Sequence, residues 1–351
     1  MKRLIYAFIF VSLLTVVFPV DAQDISKLVP ISVANASKLK IITSLKSLGS
    51  IGRMAWSPDG NLLAISTSSN VWLYDLSSNN LDALYDVGGA GIAFSPDGLL
   101  LAVGGTSPDN VIRLVDAKTR GEVRTMTGHS DSVTGVAFSP DGKKLASSGR
   151  EADNTVRLWN VDTGENITVI EVPDVQGVFS VAFSPDGKWL AYDSFRFDLG
   201  SGKTRAQVTI WNVESQSEQT VLGAGQSGQP SNVLFSADGK LLITDSLQSI
   251  RGHSAYLWNP ATGKLIRNLT VKGRVLDSNA SGITINADAS VAATGHWNGA
   301  VRLWNTKTGT QLAIFEGAHE RYIYSVSFNP HSTLLASSGQ DGIVKLWGIT
   351  S

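Results

Sequence analysis

A histidine, a pair of serines, an aspartate and a tryptophan recur twice in this chain at related spacings. His129 stands in TGHSDS, followed by Ser147 and Ser148, Asp153 and Trp159; later come His319, Ser337 and Ser338, Asp341 and Trp347. Serine, histidine and aspartate are the components of a hydrolytic triad, in which an imidazole held by a carboxylate takes the proton of an attacking hydroxyl. Duplication argues for a structural use instead. In both copies the histidine lies 10 residues before a turn residue, Ser139 or Asn329, as a part built once per structural unit would.

Other chemistry finds less support. The chain has no cysteine, which removes disulfides, thiolate nucleophiles and zinc–thiolate sites together. FDLGSGKT at 197–204 approaches a phosphate-binding loop but has Phe197 in place of the first glycine, and it lies between strand-like runs rather than before a helix. The five histidines show no HExxH spacing, and GQSGQ at 225–229 misses the GxSxG pattern at Gln229. Carboxylate pairs of the glycosidase type are the chemistry that spacing excludes least. The reading is therefore a protein that is not an enzyme, with no catalytic residue, no metal and no cofactor.

The elements that would position these residues repeat along the chain. AFSPDG occurs at 93–98, 137–142 and 182–187, with WSPDG at Trp56, FSADG at Phe235 and degenerate copies INADA at Ile285 and FNPHS at Phe328. The turn residues Ser57, Ser95, Ser139, Ser184, Ser236, Asn286 and Asn329 are spaced by 38, 44, 45, 52, 50 and 43 residues, a period typical of propeller blades. Each unit reads as an alternating run into the turn, a second run out of it and a third ending on an aromatic, as in SVTGVAF, KKLASSG and TVRLWN. Proline presets the first corner of a type I turn, aspartate tolerates the second, and glycine takes the left-handed conformation that rejoins the strands. The motif closes a hairpin, and no reaction is needed to account for it.

The third runs end mostly on Trp-Asn, at 159–160, 211–212, 258–259 and 304–305. With seven copies in phase from about residue 40 onward, the chain resembles the WD-repeat family, whose blades close on Trp-Asp; a single SPDG also resembles the propellers of TolB-like periplasmic proteins. The resemblance implies an all-β, seven-bladed propeller of four-stranded blades around a central channel. KIITSLKSL (40–48) precedes the first copy without a blade of its own, and the last copy stops just past its third run. An N-terminal strand is thus expected to complete the C-terminal blade, giving a propeller over 40–351 and a lead-in over 23–39, where Asn35 reads as the cap of a short helix.

The resemblance further implies a buried structural network in each fully equipped blade: His129, Ser148, Asp153 and Trp159 in copy three, and His319, Ser338, Asp341 and Trp347 in copy seven. Copy two has Val115 for the tryptophan, and copy six has Asn298 and no histidine at the matching position, so looser bracing is expected there. The rim carrying the His and Asp loops is the usual docking face of the family. Copy four inserts DSFRFDLGSGKTRA (193–206) on that rim and copy five DSLQSIRGHSAY (245–256). Phe195, Arg196, Phe197, Arg205, Arg251, Trp297, Arg321 and Tyr322 mix aromatics with arginine as binding hot spots do.

Lys2 and Arg3 precede an apolar run from Leu4 to Phe18 that ends in PVDA. This reads as a signal peptide over 1–22 cleaved after Ala22, with an uncleaved N-terminal anchor as the alternative. Removing it deletes Lys2, Arg3 and Asp21 from a chain of formal charge −1, leaving no basic excess to attract nucleic acid or anionic lipid. The expectation is a secreted or periplasmic monomer that binds a protein or peptide, with no nucleic acid and no membrane beyond the leader. The alternatives are a propeller hydrolase or lyase at the channel mouth and a TolB-like component of an envelope complex.

Overall fold

The computed structural model describes residues 25–46, 48–85, 88–198, 203–226, 230–245, 253–271 and 279–351; the leader expected over 1–22 and Arg251 lie outside the described residues. Hairpin formation starts at the repeated turn, where side chains hold the backbone. The Ser57 hydroxyl donates to Asp59 Oδ1 at 2.5 Å and accepts the Leu62 N–H at 2.9 Å. The same pair of bonds recurs at Ser95, Ser139, Ser184 and Ser236. In the two degenerate turns an asparagine amide does the work, with Asn286 Oδ1 accepting the Val291 N–H at 2.8 Å and Asn329 Oδ1 the Leu334 N–H at 3.0 Å. Where Gly142 takes φ 71°, those copies place Ala289 at 58° and Ser332 at 57°.

These hairpins assemble into seven antiparallel sheets of four strands. Six are continuous in sequence, at 51–85, 89–126, 133–171, 181–226, 233–270 and 280–315; the seventh, 323–348, receives its fourth strand from Lys40–Leu45. That strand pairs antiparallel with Val344–Gly348 from Lys40 opposite Gly348 to Leu45 opposite Val344, with a bulge between Ile41 and Thr43. The lead-in extends the seal: the Val29 N–H donates to the Ile349 carbonyl at 2.9 Å and the Ile31 N–H to the Ser332 carbonyl at 2.7 Å. Beside it the expected helix is a single 3-10 turn, Ala36–Lys38, and Asn35 makes no capping bond. Its side chain turns backward instead, accepting the Ser32 N–H and donating to the Pro30 carbonyl.

Apolar residues pack between neighbouring blades. Trp159, Val133 and Leu145 of blade 3 meet Ile112, Leu114 and Met126 of blade 2, and Leu45 meets Ile51 and Leu63 of blade 1 and Leu346 of blade 7. At the axis the innermost strands nearly touch. A Cβ on Gly135 would lie 3.1 Å from the Phe179 carbonyl oxygen, and one on Gly282 3.1 Å from the Ser325 Cα.

Blade 4 departs from the common size. Its expected insertion is a continuation of the blade: Trp189–Asp198 and Lys203–Asn212 pair throughout, from Trp189 opposite Asn212 to Asp198 opposite Lys203. Phe197, Asp198, Lys203 and Thr204 of the near-miss phosphate loop are therefore ladder residues with no helix behind them.

Leu45 is 2% exposed at the joint. Leu45→Ala should lower the unfolding free energy by about 3 kcal/mol in a denaturant titration, and a loss under about 1 kcal/mol would show that the closing strand contributes little.

Candidate functional site

Antiparallel strands put the loops between second and third strands, and the passages from one blade to the next, on one rim. The histidine sets lie on this rim and face inward. His129 Nδ1 is 2.9 Å from Asp153 Oδ1, His129 Nε2 is 2.6 Å from Ser147 Oγ, and the Trp159 Nε1–H donates to the same oxygen at 2.8 Å. Since Ser147 Oγ accepts from the indole, its own proton goes to Nε2, and Nδ1 carries the proton donated to Asp153. Blade 7 repeats the arrangement with His319 Nε2 2.8 Å from Ser337 Oγ, and the Trp347 Nε1–H 2.8 Å from that oxygen. The connectivity is that of a triad, but Ser147 and Ser337 are fully buried beneath the indoles. No substrate reaches either hydroxyl.

The serine in each set differs from the expectation. Ser147 and Ser337 make the bonds, not Ser148 and Ser338, because successive strand residues point to opposite faces. Ser148 Oγ lies 3.2 Å from Thr134 Oγ1 on the inner strand, and Ser338 Oγ has no hydrogen-bond partner among the described residues. Burial works to raise the Asp153 carboxyl, yet bonds from His129, Thr155 and the Ser130 N–H outweigh it and hold the group below the usual carboxylate range. Burial holds His319 below the usual imidazole value against the pull of Asp341.

Blade 6 is braced by a different histidine. His296 Nε2 is 2.8 Å from Thr294 Oγ1, which also accepts the Trp304 Nε1–H at 2.8 Å. This histidine comes from the end of the second strand rather than from the preceding loop, so the spacing of copies three and seven does not find it. In blade 4, Tyr192 occupies the Ser147 position, and the Trp211 Nε1–H has no hydrogen-bond partner among the described residues.

A second polar cluster, which the motifs did not signal, sits at the channel. Arg53, on the inner strand of blade 1, reaches across the axis: Nη1 donates to Asn232 Oδ1 at 2.7 Å, and Nη2 to the carbonyls of Phe179 at 2.9 Å and Ser231 at 3.0 Å. Two buried aspartates grip the same peptides. Asp193 Oδ1 accepts the N–H groups of Phe179 and Ser180, both at 2.8 Å. Asp245 accepts four bonds, from the backbone and side chains of Ser231 and Asn232. Asp193 Oδ2 has no hydrogen-bond partner among the described residues. A cavity of about 220 Å³ on the axis is lined by Arg53, Ser180, Asn232, Thr284 and Ser325.

Stacking the repeats would have exposed this cluster. Four residues before each turn stand Arg53, Gly91, Gly135, Ser180, Asn232, Gly282 and Ser325, one long cation in a ring of small or polar residues. Nine residues after each turn, Asp193 and Asp245 replace the Ser or Gly of the other copies. Among the described residues, no group of three or more His, Asp and Glu is placed to hold a metal ion.

The expected rim residues fall into two groups. On blade 4 the half-buried Phe195 stacks on Phe179 with ring centroids 5.4 Å apart, and the exposed Arg196 lies 3.8 Å from Asp174; Phe197 and Arg205 are strand residues paired with Thr204 and Arg196. At the junction of blades 6 and 7, Trp297 lies 5.1 Å from Tyr322, which is 41% exposed, beside the exposed Arg321.

Comparison with known proteins agrees with this architecture. Residues 120–160, 165–194 and 309–348 match the family of the WD domain, G-beta repeat. Relatives include a WD repeat-containing protein 91 homolog of Dictyostelium discoideum, 28% identical over 43% of this chain and 19% of its own length. Another is WD repeat-containing protein 55 of Bos taurus, 27% identical over 46% of this chain and 40% of its own. A guanine nucleotide-binding protein subunit beta of Arabidopsis thaliana is 24% identical over 32% of this chain and 29% of its own. The matched part thus spans well under half of each curated relative. A chain in the crystal structure of a mitotic checkpoint complex superposes with a TM-score of 0.75 at 18% identity, over 89% of this chain and 92% of that one, a likeness of fold. Parts of this chain are thus similar to the WD domain, G-beta repeat, and its seven blades share the fold of the solved chain.

Ser147→Ala leaves an indole N–H and an imidazole nitrogen unpaired, and should cost about 3 kcal/mol; Ser148→Ala should cost under about 1 kcal/mol. Denaturant titration of the two variants side by side checks the order, and a reversal would return Ser148 to the network.

Proposed function

We propose that this protein is an exported, non-catalytic interaction scaffold that works as a monomer and docks a protein or peptide on the rim bearing the histidine loops. The observation that carries the reading is the Trp297–Tyr322 pair with Arg321: large amphipathic side chains on the rim, held in place by their own contact and still open to solvent. Aromatic and arginine side chains supply much contact area at low entropic cost, which is why they dominate binding hot spots. Phe195 and Arg196 on blade 4 form a second group of the same character.

Two further observations favour this reading. The serines with triad-like connectivity are sealed beneath tryptophans, which leaves no exposed nucleophile there. A solved chain of similar fold belongs to a mitotic checkpoint complex. The relatives are eukaryotic proteins, and export rests on the leader-like stretch from Lys2 to Ala22 alone.

Crosslinking capture from the source organism should recover a specific partner with the wild type, and at least about tenfold less with Trp297→Ala or Tyr322→Ala at unchanged melting temperature. Equal capture by all three would remove this part of the rim from the docking surface. N-terminal sequencing of the protein from its native source should begin at Gln23; a chain still beginning at Met1 would replace export by anchoring or retention.

A further inference from the structure

The SPDG turns and the loops between third and fourth strands lie on the rim opposite the histidine loops, and there three departures from the repeat meet. The third strands of blades 3 to 6 end on Asn160, Asn212, Asn259 and Asn305, whose Oδ1 accepts backbone N–H groups of the turn that follows. Blades 1 and 2 have Asp75 and Asp116 there, and Oδ1 takes the same bonds, from Ser77 and Ser78 and from Lys118 and Thr119. Asparagine shapes this turn equally well, so the turn does not need the two charges. The third departure is Leu99, which is 62% exposed. The other copies have Asn61, Lys143, Lys188, Lys240, Ser290 or Thr333 at this place after the turn.

All three residues line one groove of about 410 Å³ at the joint of blades 1 and 2, together with Leu62, Leu73 and Ala117. Arg120 of blade 2 pairs with Asp82 of blade 1 at 2.5 Å, which spans the joint and sets these two charges against each other. Asp75 and Asp116 against Lys118 then leave the lining with one negative charge in excess. Hydrogen bonds from Ser77 and from the Thr119 N–H hold Asp75 and Asp116 below the usual carboxylate range, so both are ionised at neutral pH. A single exposed leucine is ordinary on a protein surface. Compared with the lysine-bearing turns, however, this groove has lost a cation and gained two anions and an apolar side chain, all at one place. That combination is complementary to an apolar group carried beside a positive charge.

We propose that the groove between blades 1 and 2 is a second docking site, which takes a segment of a partner protein presenting an apolar side chain next to lysine or arginine. The apolar side chain covers Leu99, and the cation meets Asp75 and Asp116. Because the groove and the Trp297–Tyr322 pair lie on opposite rims, a partner at one leaves the other open, and the propeller can hold two partners at once. The site stands on its own residues and does not depend on docking at the histidine rim.

The test titrates the purified full chain with the synthetic peptide acetyl-Lys-Leu-Leu-Arg-amide in ligand-observed NMR, with acetyl-Lys-Ser-Ser-Arg-amide and acetyl-Glu-Leu-Leu-Glu-amide as controls. The first peptide should bind saturably, and less tightly as salt rises; both controls should bind at least about tenfold more weakly. Leu99→Lys should weaken binding about tenfold, and Asp75→Asn and Asp116→Asn about fivefold each. Other blades carry these same residues at these places, so the turns survive the changes. Lys118→Gln should tighten binding, since it removes the competing cation, and Trp297→Ala should leave it unchanged. No saturable binding, equal binding of either control, an unchanged Kd in Leu99→Lys and both asparagine variants, or a weaker complex in Lys118→Gln would overturn the proposal. So would a loss of binding in Trp297→Ala, which would put the peptide on the other rim. A dimer in sedimentation that Leu99→Lys dissociates would also overturn it and assign the groove to a second copy of the chain. Partner capture at the histidine rim enters no arm, so failure of that surface and failure of this one give different results.

Discussion

The fold depends on the pairing of Lys40–Leu45 with Val344–Gly348. Every other sheet is finished by residues close in sequence, and only this one joins segments about 300 residues apart. Closing so long a loop is entropically unfavourable, and six strand residues repay it only because the closing strand also supplies Ile42 and Leu45 to the core shared with blades 1 and 7. The lead-in adds two backbone bonds beyond the joint, from Val29 and Ile31. Ring closure leaves each sheet with only short edges, which protects them from pairing with other chains.

Within that ring, polar groups are buried where a sheet needs stiffening. Ser147, Ser337 and Thr294 each take an indole N–H and an imidazole nitrogen. A satisfied buried network fixes one arrangement of the strands, because any slip would leave a polar group unpaired in a low-dielectric interior. The same satisfaction makes these serines inert as nucleophiles: their lone pairs and protons are committed, and tryptophan covers them. Triad connectivity thus serves as a brace between a rim loop and the second and third strands.

The axis is held by a different device. Small residues let the inner strands of most blades approach closely, as at Gly135 and Gly282. Arg53 uses the resulting space to tie blade 1 to blades 4 and 5 on the far side. The aspartates beneath those peptides make the tie a three-charge cluster, and the rim aromatic Phe179 is attached to it. Channel and rim are therefore one connected structure in this part of the molecule.

Period, turn chemistry and strand pattern are local properties, and so the seven blades and the closing strand were legible in the sequence. Each SPDG copy locks its own turn with bonds spanning five residues or fewer, and the unpaired run at 40–48 had one vacant place to go. The identity of the network serine was not legible, because Ser147 and Ser148 are equivalent until the strand's facing is known. Nor was the His296 brace, which uses a residue from another position of the repeat. Arg53, Asp193 and Asp245 stood out only in the stacked repeats, and nothing local says that positions 140 and 192 residues apart meet. Their meeting follows from ring curvature, which brings opposite blades to a common axis and removes buried charges from water together.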